Sequence, residues 1–176
     1  MSSYPEQFYD IVKLSTVEVS ESLGLQGLVA EPSQPYDALP PDELIGMLVF
    51  MGPELNGAFS VFCNQDYLSR TNPVKGSELQ TDWLSEIANR VLGAVKARSA
   101  QLNVDFEVSI PITTQRDEFL KSSQTIGPIE GFDFNHDGER ISVNFCGVFA
   151  RSVTFNGTPD NDAVIGGLGD AVIFKD

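Results

Sequence analysis

The segment from Ser77 to Leu102 constrains the fold more than any other part of the chain. It contains no proline and is rich in Leu, Ala, Glu, Arg and Lys, which predicts one long α-helix. Ser77 and Gln80 form a capping-box pattern at its start, and Thr81 is a competing cap. At about 100° per residue, one side of this helix is an apolar stripe, formed by Leu84, Ile87, Ala88, Val91 and Val95. That stripe predicts a core-facing helix, which a sheet or other helices must cover.

The opposite side of the predicted helix carries Glu86, Asn89 and Gly93. Spacings of three and four residues place them next to one another on one exposed ridge. Gly93 costs about 0.5–1 kcal/mol relative to alanine inside a helix, and the close approach of another backbone would explain it. A carboxamide can hold a water molecule for attack, and a carboxylate can pair with a cation on a partner. The same spacing also fits two solvated side chains, so the residues alone leave both readings open.

The remaining patterns predict an α+β fold. A helix is expected from Glu6 to about Leu23, ended by Gly24 and Gly27, and Asp66 to Arg70 suggests one further helical turn. The β-prone segments are Leu44–Met51 with Gly57–Cys63 as one hairpin, Phe106–Thr113 with Pro111 at an edge or end, Phe132–Asn135 with Arg140–Ala150 as a second hairpin turning at Asp137-Gly138, and two short pieces, Val153–Phe155 and Ala171–Phe174. The segment from Asp117 to Ile126 is ambiguous. We therefore expect a mostly antiparallel sheet covered by the long helix and the N-terminal helix.

The length of 176 residues fits a single domain. Residues 1–41 would form the N-terminal helix and a proline-rich connector, and residues 42–176 the core. The 25 acidic residues outnumber the 11 basic ones, and the formal net charge of -14 disfavours nucleic acid and anionic membranes as partners. Cys63 and Cys146 lie in apolar runs without metal-ligand spacing. With no secretory signal and no membrane-spanning window, these features favour a cytoplasmic protein with reduced thiols.

The run from Glu86 to Lys96, E-I-A-N-R-V-L-G-A-V-K, resembles the signature helix of the CheX/CheC family of chemotaxis phosphatases. That signature is E-x-x-N followed by a glycine four residues on. The strand V-S-I-P-I-T (Val108–Thr113) resembles the S-L-P strand that follows this helix in CheX-like domains, and the hairpin before the helix also corresponds. The resemblance extends from about Leu44 to Ala150. The chain has one E-x-x-N helix, which favours the CheX type over CheC or FliY.

The resemblance implies a phosphatase that hydrolyses the aspartyl phosphate of a phosphorylated CheY-like response regulator. Glu86 would pair with a lysine of the regulator, and Asn89 would orient the attacking water. The magnesium ion would belong to the regulator, so no cofactor is expected on this chain. Gly93 and Lys96 continue the ridge as expected binding positions, and the resemblance also implies a homodimer paired through β-structure. The alternative is a non-catalytic binding module or dimerisation domain in two-component or chemotaxis signalling.

Two other patterns have simpler interpretations. Asp133-x-Asn135-x-Asp137-Gly138 matches half of a calcium-binding EF-hand loop, but Asn144 stands at position twelve and a strand follows, so a hairpin turn is favoured. His136, the only histidine, is expected as an exposed residue of that turn. Trp83 lies at the flank of the long helix, where packing is favoured over recognition.

Overall fold

The computed structural model describes residues 5–25, 29–32, 43–74, 80–122, 130–150 and 155. The elements in these residues are, in chain order, α1 (Glu6–Ser22), β1 (Val29–Pro32), β2 (Glu43–Met51), β3 (Leu55–Asn64), α2 (Gln65–Thr71), α3 (Gln80–Gln101), β4 (Glu107–Val108), β5 (Ile112–Gln115), α4 (Arg116–Ser122), β6 (Glu130–His136) and β7 (Glu139–Phe149). The strands form one antiparallel sheet in the order β1-β6-β7-β3-β2-β4, and β5 also pairs with β2. The predicted α+β class is confirmed.

Helix α1 follows the predicted boundaries. Its last turn closes where the Leu25 N–H donates to the Ser20 carbonyl (2.9 Å) and the Gly24 N–H to the Glu21 carbonyl (3.0 Å). Gly24 has φ 83°, a left-handed conformation that glycine adopts without the penalty a side chain imposes. Gly27, the second predicted stop, lies outside the described residues. The core-facing side chains of α1 are Phe8, Ile11, Val12 and Val19.

Strands β2 and β3 form the predicted hairpin at the centre of the sheet. The helix-facing side of β2 joins the main core, whereas Ile45 on the other side packs with Phe62 and with Phe119 of α4. Both faces of β2 are therefore buried over the first half of the strand. Beyond the reach of α4 the pattern alternates, and Met51 at the end of β2 is 58% exposed.

The predicted strand from Phe106 to Thr113 is split in two, which corrects the expectation of one continuous strand. β4 pairs with the end of β2 and β5 with its beginning. Pro111 lies in the interruption and has no N–H to donate to the β2 edge. Ser109 bridges the gap instead, because its N–H donates to the Val49 carbonyl (2.8 Å) and its hydroxyl accepts from the Val49 N–H (2.9 Å). Of the ambiguous segment, residues 117–122 belong to the helix α4, and residues 123–126 lie outside the described residues.

The β6–β7 hairpin turns at Asp137-Gly138, with φ values of 53° and 78°, as the D-G pair predicts. The expectation that His136 is exposed was wrong. Its side chain is only 13% exposed, and Nδ1 lies 3.0 Å from the Tyr67 hydroxyl of α2. Adjacent residues determine the turn itself, whereas the contact between His136 and Tyr67 depends on the packing of α2 against the end of β6. Asp133, part of the half EF-hand pattern, is buried and accepts a hydrogen bond from the Ser142 hydroxyl (2.6 Å).

Both cysteines are buried free thiols, as predicted. Burial raises the pKa of Cys63 and of Cys146, which keeps both in the thiol form. Of the predicted pieces near the C-terminus, only Phe155 is described, and its ring lies 6.0 Å from that of Phe8. The Ala171–Phe174 piece and the Ser77 cap lie outside the described residues. No helix in the described part of the chain is long and apolar enough to cross a membrane.

Candidate functional site

Helix α3 lies over strand β2, and its predicted stripe is buried. Gly46 makes the close approach possible, because a Cβ at that position would be 3.1 Å from Leu84 Cγ and 3.4 Å from Ala88 Cβ. Trp83 packs, as predicted, and its indole N–H donates to the Thr71 hydroxyl (3.3 Å). The full buried set of α3 is Trp83, Leu84, Ile87, Ala88, Val91, Leu92, Ala94, Val95, Arg98 and Ser99.

Side-chain contacts hold both flanks of α3. On one flank, Arg98 is buried and pairs through Nη2 with Glu18 Oε2 of α1. On the other flank, Thr113 of β5 donates to the Thr81 carbonyl (3.2 Å), so the Ser85 hydroxyl is the donor to Thr113 Oγ1 (2.7 Å). With α1 on one side and β5 on the other, the remaining face of the helix points away from the sheet.

That outward face carries Glu86, Asn89 and Gly93, which together we call the α3 ridge. Asn89 and Gly93 are exposed, and the Glu86 side chain is 43% exposed. No atom of the described residues beyond its own helix backbone lies within 4 Å of the position that a Cβ on Gly93 would occupy. The close backbone approach that would explain this glycine is therefore not made by the described part of the chain itself.

The groups on the ridge differ in how far this chain already engages them. Oε1 of Glu86 accepts from Nε of Arg90, one turn on, at 2.5 Å. The other carboxylate oxygen and the Asn89 carboxamide have no hydrogen bond among the described residues. Lys96, the fourth predicted position, pairs with Glu107 Oε2 of β4 at 3.2 Å, so it is tied to the sheet edge.

Arg90 is the residue that the sequence reasoning missed. Its side chain is 34% exposed, and it lies directly after Asn89. The signal was present, because Glu86 and Arg90 are four residues apart, the spacing at which opposite charges pair on a helix. The α3 ridge thus offers a carboxylate with one free oxygen, a carboxamide without a hydrogen bond and a gap in the side-chain surface at Gly93. The guanidinium of Arg90 lies next to it.

This set of groups is suited to holding a partner and a water molecule. The carboxamide can donate and accept at once, and the carboxylate can pair with a cation. Among the described residues, no group of three or more His, Cys, Asp or Glu side chains is placed to hold a metal ion. The chemistry that the ridge residues and Arg90 offer is orientation through hydrogen bonds and charge.

The comparisons with known proteins agree with this architecture. No family model matches the chain, and no curated protein matches it in sequence. Solved structures do match. A CheC-like superfamily protein from Shewanella sp. PV-4 is 15% identical, with a TM-score of 0.64, over 82% of this chain and 99% of its own. The chemotaxis protein CheX from Vibrio vulnificus is 18% identical, with a TM-score of 0.63, over 80% and 98%.

A third similar structure is CheX from Borrelia burgdorferi in a complex with CheY, BeF3 and Mg²⁺. It is 14% identical, with a TM-score of 0.61, over 80% of this chain and 97% of the matched one. The chain therefore has the CheC-like fold. Within that class, the similar structures include CheX proteins matched over nearly their whole length, so the expected CheX-like architecture is confirmed.

Proposed function

We propose that this protein is a CheX-type phosphatase that binds a CheY-like receiver domain and hydrolyses its aspartyl phosphate. The observation that carries the proposal is the outward position of Glu86 and Asn89 on α3, within a fold shared with a CheX protein solved in complex with CheY. Mg²⁺ and the phosphorylated aspartate would belong to the partner. The chain would contribute groups that dock and orient.

Asn89 would orient the attacking water. It is exposed, and its carboxamide has no competing hydrogen bond among the described residues, so it is available to both a water molecule and a phosphoryl oxygen. Hydrolysis of an acyl phosphate needs the water in line with the leaving carboxylate, and such positioning can supply a large share of a catalytic effect.

Glu86 would set the docking register through a lysine of the receiver. Its second carboxylate oxygen is unengaged, and the net charge of -14 favours a partner that presents a cation. Gly93 would let the receiver backbone approach the helix one turn beyond Asn89. Lys96 would lie at the rim of this contact, held by Glu107.

The test is the lifetime of the aspartyl phosphate on receiver domains from the source organism, measured with and without this protein. Wild type is expected to shorten the lifetime, and Asn89→Ala to abolish the effect while the receiver still binds. A lifetime unchanged by wild type for every receiver of that organism would refute the phosphatase. Acceleration that survives Asn89→Ala would refute the assignment of this residue.

The second candidate is a non-catalytic module that uses the same ridge to hold a receiver. Docking through the free oxygen of the Glu86 carboxylate does not itself require hydrolysis, so the same contact would serve a module that only binds. Binding that Glu86→Ala abolishes, without any hydrolysis by wild type, would establish this module instead. The homodimer and the cytoplasmic location stay predictions of the sequence.

A further inference from the structure

We propose that Arg90 contacts the phosphoryl group of the receiver and is the cation that lets the acidic α3 ridge accept it. The inference rests on the proposed function and adds a residue to it. The geometry that carries it is the single contact between Nε of Arg90 and Oε1 of Glu86, which leaves the outer edge of the guanidinium available.

The contact with Glu86 orients Arg90. Nε donates to the carboxylate at 2.5 Å, and the two terminal nitrogens have no hydrogen bond among the described residues. Arginine presents its donors in a rigid planar fork that matches two oxygens of a phosphate. Because Glu86 holds only Nε, the two terminal nitrogens can donate hydrogen bonds to phosphoryl oxygens without breaking the ion pair.

The position on the helix is also suitable. At about 100° per residue, Arg90 and Asn89 lie on opposite sides of the line from Glu86 to Gly93. Helical side chains lean toward the N-terminus, so both head groups reach toward the turn that holds Glu86. The open surface at Gly93 lies directly beyond them. A phosphoryl group above this line would have the carboxamide on one side and the guanidinium on the other.

Charge gives a reason for a cation at this point. A doubly charged phosphoryl group must approach a chain with a net charge of -14, next to the Glu86 carboxylate. Among the described cations of α3, Arg98 is buried against Glu18, and Lys96 is tied to Glu107 one turn beyond Gly93. Arg90 is the cation beside Asn89, where the charge is needed, and it is about one-third exposed.

The experiment compares Arg90→Gln with Arg70→Gln. Arg70 of α2 forms an ion pair with Glu139 of β7, so both variants remove one positive charge and one surface ion pair. Two quantities are measured: the dephosphorylation rate constant at saturating protein, and the dissociation constants for the receiver alone and for the receiver with BeF3 and Mg²⁺. Arg90→Gln is expected to lower the rate constant about tenfold or more, and Arg70→Gln to leave it unchanged.

The ratio of the two dissociation constants separates a phosphoryl contact from a structural role. Arg90→Gln should weaken binding of the BeF3 form more than that of the free receiver, and Arg90→Lys should recover part of the loss. If both forms weaken by the same factor, Arg90 acts only through Glu86 and the proposal is overturned. Equal behaviour of Arg90→Gln and Arg70→Gln also overturns it. If wild type itself accelerates nothing, the proposed function fails first, and that result is seen before any variant is made.

Discussion

Gly46 of β2 lies directly beneath Leu84 of α3, so close that a Cβ on Gly46 would be 3.1 Å from Leu84 Cγ and 3.3 Å from the Leu84 carbonyl oxygen. This contact sets the depth at which α3 rests on the sheet. It thereby sets the height of the ridge residues on the other side of the helix. Gly46 and Gly93 thus differ in their surroundings. Gly46 lies under the helix, whereas Gly93 is open to solvent.

The two glycines should respond differently to alanine. Gly46→Ala is expected to lower the free energy of unfolding by about 1 kcal/mol, since the helix must shift by a few tenths of an ångström. Gly93→Ala should raise it by about 0.5–1 kcal/mol, because nothing described obstructs the new methyl group and helix propensity improves. Urea unfolding measures both. A destabilised Gly93→Ala would mean that this position packs within the protein. If the proposed docking is right, the stabilised variant should bind the receiver more weakly.

Glu86 and Asn89 should separate binding from hydrolysis. Glu86→Gln is expected to raise the dissociation constant for the receiver about tenfold, because a charge-assisted bond to lysine is lost. Asn89→Ala should leave that constant nearly unchanged and remove the acceleration. Calorimetry and phosphate-lifetime assays measure the two effects. Glu139→Gln, which makes the same change of charge within the Arg70 ion pair, is the control and should match wild type in both assays. If Glu86→Gln also matches wild type, Glu86 has no docking role.

In the Glu18–Arg98 pair between α1 and α3, loss of the carboxylate alone should cost more stability than loss of the buried cation. Arg98 is 8% exposed, and its Nε and Nη1 have no hydrogen-bond partner among the described residues. Glu18→Ala would leave this cation without its carboxylate, and we expect a loss of about 1–3 kcal/mol. Arg98→Met removes the charge while keeping the buried stem, so its cost should be smaller. Chemical denaturation measures both variants, and a larger loss for Arg98→Met would contradict the argument.

Stability should fall as the pH rises above about 9. Burial, first of all, raises the pKa of Cys63 and of Tyr67 above their ordinary values. In the unfolded chain these groups ionise near about pH 8.5–10, whereas in the folded chain they stay protonated. The unfolded state therefore binds fewer protons in that range. Each group lowers the free energy of unfolding by up to about 1.4 kcal/mol for each pH unit of increase. Below the pKa values of the unfolded chain, the contribution of these groups to stability is fully present.

Urea unfolding at several values between about pH 7 and pH 10.5 tests the alkaline loss. Tyr67→Phe should make the decline shallower, because one of the groups whose pKa is raised by burial no longer titrates. It should also lower stability at neutral pH, since the hydrogen bond between the Tyr67 hydroxyl and His136 is lost. A stability curve that stays flat through this range would contradict the burial of these groups.

Local sequence patterns predicted much of the secondary structure and the residues on the outward face of α3. The periodicity of α3 identified its buried stripe and its outward residues, because a helix places residues on its faces by sequence spacing alone. The D-G pair identified the β6–β7 turn, because the left-handed backbone there is a property of those two residues. The E-x-x-N run indicated the CheX-like fold through its resemblance to the signature helix of that family.

Tertiary structure decided what depends on residues distant in the chain. His136 is covered because Tyr67, on α2, meets it across the end of the sheet. The interrupted edge strand takes its register from β2, with Ser109 bridging to Val49, and no pattern within residues 106–113 contains that pairing. The depth of α3 follows from Gly46 lying under Leu84. Sequence spacing fixes which way a side chain points on its own element, whereas non-local packing decides what lies opposite to it.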